Sequence, residues 1–469
     1  MSRSLRTGQI LVGLASFSAT ALCANSTLFH GGTIITFDEA SQLPVALHGS
    51  SLLVTGDSIA KIFESSDNVT LPTGTEIIDV AGKIVSPGFI DTHRHSWQTA
   101  YKTLGSNTTL AEYFGRYGEF TQAGTVFRPE DIYYGTLAGL YEPLDAGVTT
   151  ILEHAHGTFS NETSNAYLEA VIDSGVRMAF CYAFHELSNG FSFEEQLANF
   201  ADLMKNERLN SQDLVQIGIA YDAFIQDNNN TRAIVNLVNS KNVSALTMHF
   251  LGGPWGNTNS PSKLDQLGLL NGTTPVVFSH ASYVTTDDAE LLRKHDQYIS
   301  TTPESEMHFK PASGYRALYL GNWNVPRNSP MSANQAFTLA TRSGALALRR
   351  PDLGVLATGN KADIVVFDGD SPNMLGWSDP VAAVILHSHV GDIRHVMVGG
   401  EWRKRDGQLV TKQNRTEVQT KFLDSAKRIQ KIWLETPLPE MDGEFNGMSN
   451  VDYVDAYTID AVRGNGTGY

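Results

Sequence analysis

Pro87-Gly88-Phe89-Ile90-Asp91-Thr92-His93-Arg94-His95 is the stretch from which the rest of the chain can be read. An apolar run gives way to polar residues and ends in two histidines two positions apart. Residues two apart on a strand point to the same side, so His93 and His95 present their imidazoles together. Two neutral imidazoles at this spacing suit a divalent ion such as zinc. At the carboxyl end of a barrel strand, that side faces the mouth where active sites form.

Outward from this stretch, apolar strand-like runs alternate with helical patterns. The predicted strands are Val85 to Ile90, Val148 to Leu152, Val176 to Tyr182, Val215 to Ala220, Ala245 to Met248, Val276 to Phe278 and Tyr298 to Thr301. Buried, β-branched runs separated by helices are the signature of parallel βα repeats. The segment 84–350 is of the length expected for one (β/α)₈ barrel. Seven strands are readable, and the region of the eighth is shortened. Short strands and turns fill 25–83, and a matching region returns at 351–415. The two predict one small β-sandwich domain assembled from both chain ends. A helix and a loosely ordered tail are expected over 416–469.

The chain has 469 residues, 41% hydrophobic and 18% charged, and a formal net charge of −16. Such a composition suits a globular protein with a large core. The charge argues against nucleic acid or an anionic membrane as the main partner and suits solubility outside the cell; the expected partner is a small-molecule substrate. Residues 1–24 read as a secretory signal peptide: Arg3 and Arg6 precede an apolar stretch from Ile10 to Cys23, too short to span a bilayer comfortably. Asn-x-Ser/Thr sequons begin at Asn25, Asn68, Asn107, Asn161, Asn229, Asn242, Asn271, Asn414 and Asn465. Together they predict a secreted glycoprotein, off the membrane once the signal is cleaved. The mature chain then keeps only Cys181 and forms no internal disulfide.

His-x-His occurs twice more. His154-Ala155-His156 ends the second predicted strand and is expected at the mouth, either lining the substrate pocket or packing there. His387-Ser388-His389 falls outside the barrel and is read as structural.

The β unit followed by Gly-Lys-Ile-Val-Ser-Pro-Gly-Phe-Ile-Asp-Thr-His-Arg-His resembles the entry strand of the amidohydrolase superfamily. The resemblance continues through Ala146-Gly147-Val148-Thr149-Thr150, Ser279-His280-Ala281 and Gly359-Asn360-Lys361-Ala362-Asp363-Ile364-Val365, from about residue 28 to about residue 410. The branch it looks like is the cytosine deaminase and atrazine chlorohydrolase group. The resemblance implies a metal-dependent hydrolase acting on non-peptide carbon–nitrogen bonds through a metal-activated water. It implies His93, His95 and His249 as metal ligands, and His280 as the catalytic histidine that positions substrate or polarises the bond under attack. The expected cofactor is one Zn²⁺, with Fe²⁺ as the alternative. The segment Val215 to Ala220 lacks the lysine that binuclear, dihydroorotase-like members use, so a single metal is expected. A homodimer is expected by the same analogy.

Two departures qualify the activity. Deaminases of this branch carry a proton-shuttling glutamate three residues beyond the strand-five histidine, and that position here is Gly252. The family's eighth strand ends in an aspartate, yet from Met307 to Pro351 this chain has no Asp or Glu. Either a segment is absent from this sequence near Lys310-Pro311, or Glu304, Glu306 or His308 takes over, with Glu304 and His308 then facing the substrate. The resemblance therefore implies weak metal retention and impaired turnover. The alternatives are a non-catalytic binding protein on the same fold and a deaminase of the same superfamily.

Overall fold

The computed structural model describes residues 26–106, 108–240, 243–252, 255, 259–303, 329, 331–441 and 443. The signal-peptide reading, Glu304, Glu306, His308 and nearly all of the expected tail lie outside these residues.

Five strands open the chain: β1 (Ser26–Phe37), β2 (Pro44–Thr55), β3 (Ser58–Glu64), β4 (Glu76–Asp79) and β5 (Ile84–Pro87). Seven follow in the middle: β6 (Phe89–Arg94), β7 (Val148–Ala155), β8 (Arg177–Phe184), β9 (Val215–Tyr221), β10 (Leu246–Phe250), β11 (Val276–His280) and β12 (Tyr298–Ser300). Four more close the fold: β13 (Ile364–Phe367), β14 (Ile393–Val398), β15 (Glu401–Arg405) and β16 (Gln408–Leu409).

The two chain ends meet in one mixed nine-stranded sheet, ordered β16-β15-β14-β13-β5-β1-β2-β3 with β4 against β1. Its seam is the antiparallel pair β13–β5, where Ile364 faces Pro87 and Val366 faces Val85. Phe29, Ile34, Leu52, Val85, Ile364 and Val366 form its core.

The middle strands pair in sequence order, β6 through β12, as a parallel, nearly closed seven-stranded barrel. The open seam is bridged by side chains: Thr92 Oγ1 on β6 lies 2.7 Å from Ser300 Oγ on β12. Helices follow the strands, among them Pro129–Asp145, Asn161–Ser174, Asn229–Ser240 and Thr286–Lys294. Their starts are written locally. Ser160 accepts the Thr163 N–H, and Thr285 accepts the Asp288 N–H, which satisfies amide groups that lack an intrahelical partner. The C-terminal helix Arg415–Glu435 buries Trp433, whose indole N–H donates to the Arg116 carbonyl at 2.7 Å.

The run Val85 to Ile90 is not one strand. Ile84–Pro87 joins the mixed sheet and Phe89–Arg94 opens the barrel. Gly88 is the joint: a Cβ there would lie 2.0 Å from Thr149 Oγ1, so only glycine lets the chain cross so close to β7. The other barrel strands start within a residue of their expected positions. Five of them, β7 to β11, run one to three residues further toward the mouth, which carries the histidines onto strand ends.

Candidate metal centre

His93 on β6, His154 on β7, His249 on β10 and His280 on β11 arrive from neighbouring strand ends, with His95 one residue past β6. The register brings them level: His249 pairs with Ser279, and Phe250 with His280. His93 has its ring centroid 4.6 Å from that of His95, 5.0 Å from His249 and 5.1 Å from His280. All four imidazoles named from the sequence therefore converge on one spot.

Each ring is held by its far nitrogen. His93 Nδ1 lies 2.7 Å from Ser279 Oγ, His280 Nδ1 lies 2.6 Å from Thr302 Oγ1, and His95 Nδ1 lies 3.0 Å from the His154 carbonyl. His249 Nδ1 lies 2.8 Å from Asp222 Oδ2. A carbonyl and a carboxylate can only accept, so His95 and His249 carry their hydrogens on Nδ1. With both rings neutral, their Nε2 atoms then face each other as lone pairs, 3.2 Å apart. Two facing lone pairs repel unless a proton or a cation sits between them. Zinc–nitrogen bonds of about 2.05 Å at the tetrahedral angle place ligand nitrogens about 3.3 Å apart. His93 Nε2 is buried and has no hydrogen-bond partner among the described residues. The donor set fits a divalent ion.

Burial pushes the pKa of His93 and His95 well below the usual imidazole range, reinforced by the neighbouring rings. Burial, then the charge of His249, takes His280 down to about 3. Such rings stay neutral, as metal ligands must. His249 is the exception: burial alone would lower it, but Asp222 outweighs burial and raises it. Desolvation would raise Asp222, which is half-buried, yet His249 and His154 hold it well below the carboxylate range. His280 also sits at φ +70°, a left-handed conformation costly for a residue with a Cβ, and Ala281 follows at +51°.

The second His-x-His divides. His154 is fully buried, with Nε2 3.3 Å from Asp222 Oδ2, and its ring centroid is 4.3 Å from that of His249. One nitrogen each from His93, His154 and His249 lie within 4.8 Å of one another. His156 packs against the cluster, its ring centroid 4.0 Å from that of His95, but its Nδ1 is engaged elsewhere: it accepts the Trp97 indole N–H at 2.9 Å and lies 4.0 Å from Glu119 Oε2. His387 caps the helix Pro380–Leu386 and His389 caps the turn that follows, both structural.

Sequence reading missed Asp222, Glu119 and Glu153. Asp222 directly follows β9 and accepts the His249 backbone N–H at 2.6 Å as well as the ring. Glu153, buried on β7, accepts from Ser96 N at 2.5 Å, Ser96 Oγ at 2.7 Å and the Tyr167 hydroxyl, and so fixes the turn after His95. Burial pushes Glu119 up to about 7. The one signal for Asp222 in the sequence was an acidic residue at a strand's carboxyl end.

The sequence profile of the amidohydrolase family matches residues 84–319 and 312–403. The chain belongs to the amidohydrolase family. It is 25% identical over 375 residues to a 5-methylthioadenosine/S-adenosylhomocysteine deaminase of Desulfitobacterium hafniense, covering 72% of this chain and 84% of that one. It is 22% identical to a 5'-deoxyadenosine deaminase of Methanosphaera stadtmanae, over 81% of this chain and 95% of the relative. Among solved structures it is similar to a mutant of atrazine chlorohydrolase TrzN from Arthrobacter aurescens, complexed with zinc and atraton, with a TM-score of 0.73 at 19% identity over 85% of this chain and 100% of the other. An adenosine deaminase from Xanthomonas campestris with bound zinc gives 0.71 at 16% identity, over 87% and 99%.

Proposed function

We propose that this chain is a metal-dependent hydrolase that displaces an amino group from an sp² carbon of a small nitrogen heterocycle, a 6-aminopurine nucleoside being the first substrate class to try. The observation that carries the reading is the pair of inward-facing Nε2 atoms of His95 and His249, with their hydrogens fixed on the far side. His93, His95 and His249 would hold the ion. One zinc, when bound, supplies a Lewis acid that brings the pKa of water down toward about 7. His280 stays neutral, anchored by Thr302, and can donate a hydrogen bond to charge developing on the substrate without itself carrying charge.

The proton a deaminase must pass to its leaving group has no carboxylate at position 252. Gly252 sits at φ +59°, and a Cβ there would lie 2.9 Å from Tyr283 Cβ, so a glutamate does not fit. Glu119, buried beside His156, is the carboxyl group this rim offers instead. Slow turnover is expected, because proton transfer by a positioned side chain commonly contributes about 10²- to 10⁴-fold.

The test is ammonia release by the zinc-loaded chain from 5'-methylthioadenosine, S-adenosylhomocysteine and an amino-s-triazine. Release with at least one of them, abolished by His280→Ala, is expected. A chain that holds stoichiometric zinc yet releases nothing from any of the three defeats the reading. A secretory route is part of the same proposal. The sequon residues Asn68, Asn161, Asn229, Asn271 and Asn414 are all exposed, as glycan transfer requires. A gel shift on endoglycosidase treatment of protein expressed in a eukaryotic host checks it.

A further inference from the structure

Among the described residues the centre has no strand-eight carboxylate, and two residues from β7 and the end of β9 stand where that deficit is felt. Asp222 Oδ2 accepts the His249 Nδ1–H at 2.8 Å and lies 3.3 Å from His154 Nε2. A carboxylate at that distance keeps the His154 hydrogen on Nε2 and leaves Nδ1 as a lone pair. His154 Nδ1 is buried and has no hydrogen-bond partner among the described residues, as is His93 Nε2. A buried polar atom left unsatisfied keeps the full cost of its lost hydration. Two such atoms belong to rings whose nitrogens approach within 4.8 Å of each other and of His249. One cation would satisfy both.

We propose that His154 is a fourth imidazole donor to the metal and that Asp222 is a positioning residue, the two together replacing the strand-eight carboxylate. Asp222 grips His249 and His154 by their far nitrogens, which turns the near ones inward and makes both rings better donors. Its negative charge offsets the ion's from one hydrogen bond away. Because it stands behind His249, it does not reach the water and cannot take its proton. The consequence is a chain that keeps its metal and turns over slowly, in contrast to the weak metal retention expected from the sequence.

The inference rests on the metal-centre reading above, so the experiment separates the two. The purified full-length chain is loaded with Zn²⁺ and with Co²⁺. X-ray absorption at the zinc edge of the unmutated protein is expected to show four imidazoles. Asp222→Asn is expected to weaken zinc 10- to 100-fold in competition with a chromophoric chelator. His154→Gln is expected to weaken it at least tenfold, to remove one imidazole from the zinc shell and to change the visible bands of the cobalt form. His395→Gln, in the mixed sheet, should bind as the unmutated chain does. If His154→Gln and Asp222→Asn bind zinc like the unmutated chain while His93→Gln and His249→Gln do not, this inference falls and the proposed function stands. Three imidazoles plus a carboxylate oxygen in the unmutated shell overturn it equally, even if a variant fails to fold. No zinc uptake by the unmutated chain overturns both.

Discussion

The two ends of the barrel bury charge in opposite ways. At the closed end, Arg177, the first residue of β8, makes a two-pronged pair with Asp363, Nε to Oδ2 at 2.8 Å and Nη2 to Oδ1 at 2.9 Å. The Gly399 N–H adds a third bond to the same carboxylate at 2.8 Å. Both side chains are almost wholly buried, and their charges cancel. At the mouth, five imidazoles crowd together, those of His95 and His249 with lone pairs turned inward, and Asp222 answers only the far side of His249 and His154. A charge-balanced pair locks the barrel to the mixed sheet, although Arg177 Nη1 has no hydrogen-bond partner among the described residues. A cluster of inward lone pairs with no cation among them is a binding site, because what it lacks is what it will bind. Barrels commonly keep stability at the first end and chemistry at the second.

This contrast can be broken by mutation. Asp363→Ala strands the Arg177 guanidinium in the interior and should cost about 3–5 kcal/mol of unfolding free energy. Zinc affinity, corrected for the folded fraction, should not change. A denaturant titration alongside a zinc titration checks both, and a large loss of zinc affinity would erase the distinction between the two ends.

Glu119 tests the mouth from the side of pH. Burial holds its pKa at about 7 in the fold, against 4.5 for an ordinary glutamate. Between those values the folded protein binds the proton and the unfolded chain does not, so this group's contribution to stability falls as pH rises from 4.5 to 7 and levels off above. The span corresponds to roughly 3 kcal/mol. Glu119→Gln should flatten that part of the stability curve, measured by denaturant midpoint at pH 5, 6 and 7.5. An unchanged slope would mean that the fold does not hold this carboxyl neutral.

Zinc itself should stabilise the chain by about 2.7 kcal/mol at a free concentration a hundred times its Kd. His249→Ala should abolish that gain, and it should also lower the stability of the metal-free protein, since the ring it removes is a hydrogen-bond partner of Asp222. Thermal scans with and without zinc decide it. The smallest effect is at Gly252. Alanine there must hold a left-handed conformation, for about 1–2 kcal/mol, and press on Tyr283. Its denaturant midpoint should fall slightly with zinc binding intact.

The sequence by itself determined the barrel, the return of the chain's end to the N-terminal strands, and which histidines reach the mouth from β6, β10 and β11. Those are local patterns: apolar runs of strand length, turn residues between them, and histidines at strand ends. It did not separate Ile84–Pro87 from Phe89–Arg94, because Gly88 declares itself only against Thr149, which lies on the neighbouring strand β7, some sixty residues further along the chain. Asp222 was equally hidden. An aspartate after a strand reads as an ordinary turn residue until β9 and β10 lie side by side and a histidine 27 positions later turns its ring onto it. Tertiary structure also decided that His154 points into the cluster while His156 binds Trp97, a difference no spacing encodes. Spacing fixes the side of a strand from which a ring emerges, and only its neighbours fix which nitrogen is left free.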